Sequence, residues 1–308
     1  MTNINIAIID YPDSLKSALY GFVDMFNFAN QIAAEQNVKC QFISKIIDSS
    51  ESTDFSNDKF TIIVLPPSKR SDYYLTPSNH LLQGLLQQHS TGATLCSACA
   101  GTFILAATNL LKEKQVTTHW GLEDPFRNKF PEITLNVDKI LINQGDIITA
   151  GGMMSWQDLA LEIICQYTNA DILRRLGKYL VMDTGQREQR FYRQFTTILN
   201  HNDGLILSIQ HALKESFYLP QTIAEIATQN NLTERTFLRR FFKATQLNPK
   251  QYIQHLRIQK ACDLLESSKL SFELIANRVG YEDSGACRKL FIRIIGLTPS
   301  EFRKRFVE

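Results

Sequence analysis

One pattern occurs twice near the end of the chain, and it restricts the fold more than any other feature. Residues 222–252 read TIAEIATQNNLTERTFLRRFFKATQLNPKQY, and residues 271–302 read SFELIANRVGYEDSGACRKLFIRIIGLTPSEF. Each is a short helix, a tight turn, a second helix and then Leu-x-Pro-x-x-Tyr/Phe, the outline of a helix-turn-helix. The two copies lie about 50 residues apart and are joined by one long amphipathic run, Pro249–Ser267, so they predict an all-α unit. Apolar residues recur at helical spacing from Leu205 onward, in about seven helices with short joints. Thr233 and Asp283 suit N-cap positions. The small residues Ala224 and Ala276 suit close helix crossings, and Gly280 suits a turn that needs positive φ.

Each second helix carries basic residues on one side and apolar residues on the other. In the first, Arg235, Arg239 and Arg240 oppose Phe237 and Phe241; in the second, Arg288, Lys289 and Arg293 oppose Leu290 and Phe291. A recognition helix needs one face to pack on its partner and the other to enter the major groove. The plainer alternative is an ordinary solvated face; two copies favour DNA. Charge agrees: residues 205–308 hold 16 Lys/Arg against 10 Asp/Glu, while residues 1–204 hold 17 against 21. The C-terminal part alone is suited to a polyanion partner.

This unit resembles the AraC/XylS family DNA-binding domain over essentially all of residues 205–308. The resemblance rests on Arg239-Arg240-Phe241, Pro249-x-x-Tyr252, Arg257, Ala261 with Leu264 and Leu265, Ile275-Ala276, Gly280-Tyr281-x-Asp283, Phe291, Gly296-Leu-Thr-Pro299 and Phe302-Arg303. It implies double-stranded DNA as partner, with both recognition helices on one side of the duplex, in major-groove segments ~34 Å apart. It carries base contact to Arg235, Leu238 and Arg239 in the first helix, and to Ser284, Gly285, Arg288 and Lys289 in the second. Two positions depart from the pattern: Gln246 stands where the family has Gly, and Cys287 where it has Phe. The second recognition helix, which also holds Gly285, is expected to be less firmly packed than the first.

The first 170 residues alternate strand and helix signals. β-branched runs occur at Ile4–Ile9, Cys40–Ile47, Phe60–Leu65, Ala93–Ala98 and Gln115–Thr118, with amphipathic stretches such as Leu15–Ala34 and Leu81–His89 between them. Ile133–Leu141 and Asp146–Thr149 read as further strands around an Asn-Gln-Gly turn, and Ser155 opens a helix through Tyr167. The expected fold class is α/β, a mostly parallel sheet with helices on both faces, followed by the all-α unit. The expected division is 1–170 for the α/β domain, 171–204 for a connection and 205–308 for the helical domain. The 308 residues, 44% hydrophobic, suffice for two cores.

The run Thr94-Leu-Cys-Ser-Ala-Cys-Ala-Gly-Thr-Phe-Ile-Leu-Ala passes from strand to helix with Cys99 at the turn. Ala98, Ala100 and Gly101 are the small neighbours a nucleophile elbow requires, and a helix N-terminus favours a thiolate. His119 ends the next expected strand. If the two strands were adjacent, Cys99 and His119 would meet at the sheet edge where ligands of such folds bind.

With Gly21-x-x-Asp24-x-Phe26, Ala150-Gly-Gly152 and Asp158-Leu-Ala-Leu161, these residues resemble the DJ-1/PfpI superfamily over residues 4–168. The likeness is strongest to its regulatory, GlxA-like branch, a flavodoxin-like sandwich fused to AraC-type domains. That resemblance implies a small-molecule effector, often a nitrogen-containing metabolite, held by Cys99, Ala100, Thr118, His119 and Met153, and a homodimer through the sensor domains.

Against catalysis, Ala100 stands where the superfamily's proteases have His. Ala18 aligns with the carboxylate that holds the Cys, and no second acid accompanies His119. A Cys-dependent hydrolase or deglycase, or an oxidation sensor at Cys99, remain the rival readings. The plainer alternatives are a structural role for His119 and an Asp24 that caps or orients a helix. Cys96-x-x-Cys99 has redox spacing, yet Cys96 is placed to end a buried strand. Cys99 and His119 fall short of the three or four ligands of a metal site, so neither metal nor other cofactor is expected. The six cysteines are scattered, the start MTNINIAIID has no secretion signal, and no apolar run approaches ~20 residues. A cytoplasmic protein without membrane contact is expected.

Overall fold

A computed structural model describes residues 2–49, 58–70, 72–185, 188–195, 197–199 and 201–307. The chain divides into two compact units, Met1–Gln189 and Arg190–Glu308.

The first unit alternates as its sequence pattern requires. In chain order it runs β1 (Thr2–Asp10), α1 (Lys16–Glu35), β2 (Cys40–Asp48), β3 (Ile62–Leu65), α2 (Asp72–Leu75), α3 (Asn79–Ser90), β4 (Thr94–Ala98) and α4 (Gly101–Ala107). There follow β5 (Gln115–Val116), α5 (Glu123–Lys129), β6 (Thr134–Leu135), β7 (Leu141–Asn143), β8 (Ile147–Ala150), α6 (Trp156–Tyr167) and α7 (Ala170–Leu180). Six strands form one sheet in the order β2-β1-β3-β4-β8-β7. All pairs are parallel except β7 with β8, the hairpin closed by the expected Asn-Gln-Gly turn.

Residue parity along each strand explains why helices cover both faces. Ile4, Ile6 and Ile8 of β1 pack with α1, α6 and α7, while Ala7 and Ile9 pack with α3 and α4. Ile62 and Val64 of β3 follow the first face, Ile63 and Leu65 the second. A strand apolar at both parities cannot leave either face in water, since each buried Ile side chain is worth ~1.5–3 kcal/mol.

Three expectations need correction. Gln115–Thr118 supplies no strand to the main sheet: β5 pairs only with β6, in a separate two-stranded sheet. Ile133–Leu141 is two short strands rather than one. The expected connection over 171–204 contains α7, whose Ile172 and Leu176 are buried in the first unit's core; residues 186, 187, 196 and 200 of that segment lie outside the described residues.

The second unit is α8 (Gly204–Ser216), α9 (Ile223–Gln229), α10 (Glu234–Thr245), α11 (Pro249–Ser267), α12 (Phe272–Arg278), α13 (Ser284–Ile295) and α14 (Pro299–Phe306). Each of these begins on a side chain that accepts a backbone N–H: Asp203, Thr222, Thr233, Asn248, Ser271, Asp283 and Thr298. One such cap is worth ~1 kcal/mol, so the short helices have defined starts. Pro249 and Pro299 occupy first-turn positions that need no N–H.

Two separate cores result. α8, α9, α10 and the start of α11 enclose Ile209, Phe237, Phe241 and Tyr252. The rest of α11 with α12, α13 and α14 encloses Ile275, Cys287, Phe291 and Phe302. Ala276 is fully buried as the crossing requires, but Ala224 is exposed. Ala227, one turn later, is the buried small residue of α9.

Arg257, midway along α11, ties the two halves. Its Nε donates to Phe217 O at 2.7 Å, Nη1 to Gly280 O at 2.8 Å and Nη2 to Leu219 O at 3.2 Å. Gly280 stands at φ +89°, and a Cβ there would meet Tyr218 O at 2.4 Å. The turn of the second copy therefore needs glycine for its dihedral and for its close approach.

Candidate ligand cavity and nucleic-acid interface

Cys99 leaves β4 at φ +54°, a left-handed conformation that is costly for a residue with a Cβ. Two bonds hold it there. Its N–H donates to Ala150 O at 2.8 Å, and its carbonyl accepts from Thr118 Oγ1 at 2.7 Å. The small neighbours have a steric reason: a Cβ on Gly101 would lie 2.6 Å from Leu65 O. The elbow read from the sequence is thus present as backbone geometry.

His119 reaches the elbow by a route the sequence did not show. β4 has β3 and β8 as neighbours, so strand adjacency does not bring His119 there. Polar contacts do. Thr102 Oγ1 donates to Thr117 O at 3.0 Å, and Thr117 N–H donates to Thr149 Oγ1 at 2.9 Å. The Gln189 amide grips the segment from the other side, donating to Thr118 O at 2.9 Å and accepting from Trp120 N–H at 3.2 Å.

These elements border an open cavity of about 540 Å³ lined by Ser68, Lys69, Arg70, Asp72, Tyr74, Cys99, Ala100, His119, Leu122 and Met153. Cys99, Ala100, His119 and Met153 were expected together and are together. Thr118 is fully buried and braces Cys99 rather than lining the cavity. Sequence reasoning missed Ser68, Lys69, Arg70, Asp72, Tyr74 and Leu122. Most of these follow β3, the strand beside β4, and the rule that ligands gather beyond the carboxyl ends of parallel strands was the available signal. Asp24 is exposed on α1, and Ala18 is fully buried in the core.

The electrostatics overturn the expectation of a thiolate. Burial pushes the Cys99 thiol up to about 12, and the Ala100 N–H opposes this only in part. Burial also lowers the His119 pKa, leaving a neutral imidazole at neutral pH. Its Nδ1 accepts the Gly121 N–H at 2.9 Å, which places the ring proton on Nε2. A neutral thiol and a neutral imidazole offer hydrogen bonds to a ligand. Nucleophilic chemistry needs the anion that burial disfavours. Lys69, Arg70 and Asp72 are exposed and put charges of both signs at the rim. Among the described residues, no group of three or more His, Cys, Asp or Glu is placed to hold a metal ion, and no helix is long and apolar enough to cross a membrane.

In the second unit, α10 buries Phe237 and Phe241 and exposes Arg235, Leu238 and Arg239. Arg240 faces elsewhere: Asp203 Oδ1 holds its Nη2 at 2.7 Å. The side chains named for base contact therefore share one open face, and the remaining arginine serves the cap of α8.

α13 follows α10 at an offset of fifty residues, so Gly285, Arg288 and Lys289 hold the helix positions that Arg235, Leu238 and Arg239 hold in α10. Gly285 and Lys289 are exposed, and Ser284 is half-buried. Arg288 lies back over the Phe272 ring, 5.1 Å from its centroid, with Glu273 Oε1 3.6 Å away. Cys287 is fully buried among Phe291 and its neighbours. Gln246 occupies the left-handed position, at φ +58°, that Gly296 fills in the second copy at φ +85°.

Comparison with known proteins agrees with both halves. Residues 29–166 match the DJ-1/PfpI family, and residues 226–305 match a helix-turn-helix domain family. The HTH-type transcriptional regulator CdhR of Pseudomonas aeruginosa is 25% identical over 230 residues, covering 74% of this chain and 68% of that one. The HTH-type transcriptional regulator GlxA of Rhizobium meliloti is 22% identical over 254 residues, covering 80% of this chain and 75% of that one. A solved structure from Vibrio parahaemolyticus shares the fold over 58% of this chain and 100% of its own, with TM-score 0.50 and 16% identity. The chain belongs to the AraC-type helix-turn-helix regulators that carry a DJ-1/PfpI domain ahead of the DNA-binding unit.

Proposed function

We propose that this chain is a cytoplasmic, non-catalytic transcription regulator that binds specific double-stranded DNA through α10 and α13 as a homodimer. A small-molecule effector in the Cys99 cavity controls it. The DNA-binding reading is carried by one observation: two capped helices, fifty residues apart, each bury an apolar face and expose a second face bearing basic residues. Arg235 and Arg239 suit guanine O6/N7, Leu238 suits a thymine methyl, and Ser284, Gly285, Arg288 and Lys289 form the weaker second reader. The effector reading is supported by a cavity of metabolite size, about 540 Å³, lined by a protonated thiol, a neutral imidazole and charges of both signs. A nitrogen-containing metabolite with a carboxylate fits such a rim.

The test is binding of the purified chain to fragments of its own upstream DNA across a salt series. Arg239→Ala is expected to weaken specific binding about 5- to 150-fold and to relax selectivity at one base pair. Arg240→Ala is expected to lower stability and leave selectivity intact, because its guanidinium holds Asp203. Binding that ignores sequence in the wild type, or is indifferent to Arg239→Ala, refutes the reading.

A further inference from the structure

Gln189 is the last residue of the first unit, and the chain passes directly from it into the DNA-binding unit. The residue is 2% exposed, unusual for an amide at the exit of a domain. Its side-chain bonds fall on Thr117–Trp120, the stretch that carries His119, and on Lys139 beside it. Nε2 reaches Thr118 O at 2.9 Å, Lys139 O at 2.9 Å and Thr117 Oγ1 at 3.1 Å, and Oε1 accepts the Trp120 N–H at 3.2 Å. The bonds to Thr118 and Trp120 flank His119, a lining residue. On the other side lies Gly151, where a Cβ would come within 1.8 Å of Nε2, so glycine there is what admits the amide. Two residues further along is Met153, also lining the cavity. The main chain is stitched as well: Gln189 N–H donates to Asp138 O at 2.9 Å, and Glu188 pairs with Lys139 at 2.7 Å.

We propose that Gln189 is the positioning residue that couples the ligand cavity to the DNA-binding unit. A ligand that moves His119 must move the backbone that Gln189 grips, and one that moves Met153 acts two residues from Gly151, against which the amide packs. Such a shift changes how firmly the exit of the first unit is held. A buried amide meeting four partners has few intermediate arrangements, so the exit is either seated or released. The inference rests on the sensing role proposed above.

A double-mutant cycle tests it without knowing the ligand. The full chain is assayed for affinity to its own upstream DNA with His119→Ala or Met153→Ala as wall perturbations. Each is made in the wild-type background and in Gln189→Met, which keeps the length but has no amide. The expected result is that the wall variants shift affinity about fivefold or more in the wild type, and that the shift disappears in Gln189→Met. Were Gln189→Met not to fold, Gln189→Ala, which leaves room for water, takes its place. A shift that persists undiminished without the amide overturns the coupling and leaves the sensing role standing. No shift in either background overturns both.

Discussion

Arg257→Met isolates the contact that makes two helix-turn-helix copies into one unit. The guanidinium serves three backbone carbonyls from the centre of α11 and lies 5.2 Å over the Tyr281 ring. Methionine keeps the aliphatic stem and removes the charge and all the donors. Hydrogen bonds to a charged group are worth ~1.5–3 kcal/mol each. Leu219 is partly exposed, so its carbonyl regains water and costs little. The Phe217 and Gly280 bonds are part-buried and remain as the real loss. Discounting them for partial exposure leaves a destabilisation of about 2–4 kcal/mol. Both tryptophans, Trp120 and Trp156, lie in the first unit. Urea unfolding of the full chain therefore separates the units: tryptophan fluorescence follows the first, and far-ultraviolet ellipticity also follows the second. Arg257→Met should move the ellipticity transition and leave the fluorescence transition in place. Arg257→Lys should not rescue it, since an ammonium cannot span three carbonyls set for a planar fork. A loss below about 0.5 kcal/mol, or equal movement of both transitions, refutes the reasoning.

Three further outcomes are expected. Gln246→Gly relieves a left-handed side chain and should stabilise the second unit by up to ~1 kcal/mol, read from the same ellipticity transition. His119 has its folded pKa lowered by burial, so the unfolded chain binds its proton more tightly. Its stabilising contribution is full above its unfolded value of about 6.5 and is lost as pH falls through the lower folded value; His119→Gln should flatten the melting-temperature profile of the first unit in that acidic window. Cys99→Ser should leave DNA binding intact and alter at most the response to effector, whereas complete loss of every activity would favour a Cys-dependent enzyme.

Much of this was legible because it is local. The alternation of β-branched runs such as Ile4–Ile9 with amphipathic stretches predicted a mostly parallel sheet covered on both faces. Thr233 and Asp283 cap as their chemistry dictates, and Pro249–Ser267 has the predicted bounds. Gly280 announced its turn, yet its counterpart did not: Asn231, at φ +56°, makes the equivalent turn of the first copy, a conformation Asn tolerates without advertising it. The misplaced strand at Gln115–Thr118 fails for another reason. Its composition suits a strand, but strand order depends on pairing partners far along the chain, which no period encodes. Gln189 was hidden in a polar stretch that reads as linker. Its bonds to Thr118 and Thr117 span 71 and 72 residues, and nothing in a run such as GQREQRF distinguishes a buried amide from a solvated one. Lys69, Arg70 and Asp72 were likewise ordinary charges until β3 and β4 stood side by side.

At the elbow, backbone geometry and thiol ionisation are governed by different atoms. Cys99 keeps the strained backbone that presents a nucleophile, held by Ala150 O and Thr118 Oγ1. Those bonds act on the main chain and do not depend on the thiol. The thiol itself is buried against Ala100 and the tyrosines near it, and burial holds it protonated. Backbone partners fix the turn, whereas the dielectric around Sγ fixes the charge. What the strained turn still does is aim a small polar group into the cavity and start α4 close to β3, where only Gly101 fits. His119 lies on a stretch held differently, through polar side chains rather than a ladder of the main sheet. The Gln189 amide bonds that stretch at Thr118 and Trp120, and its main chain leads directly into the second unit.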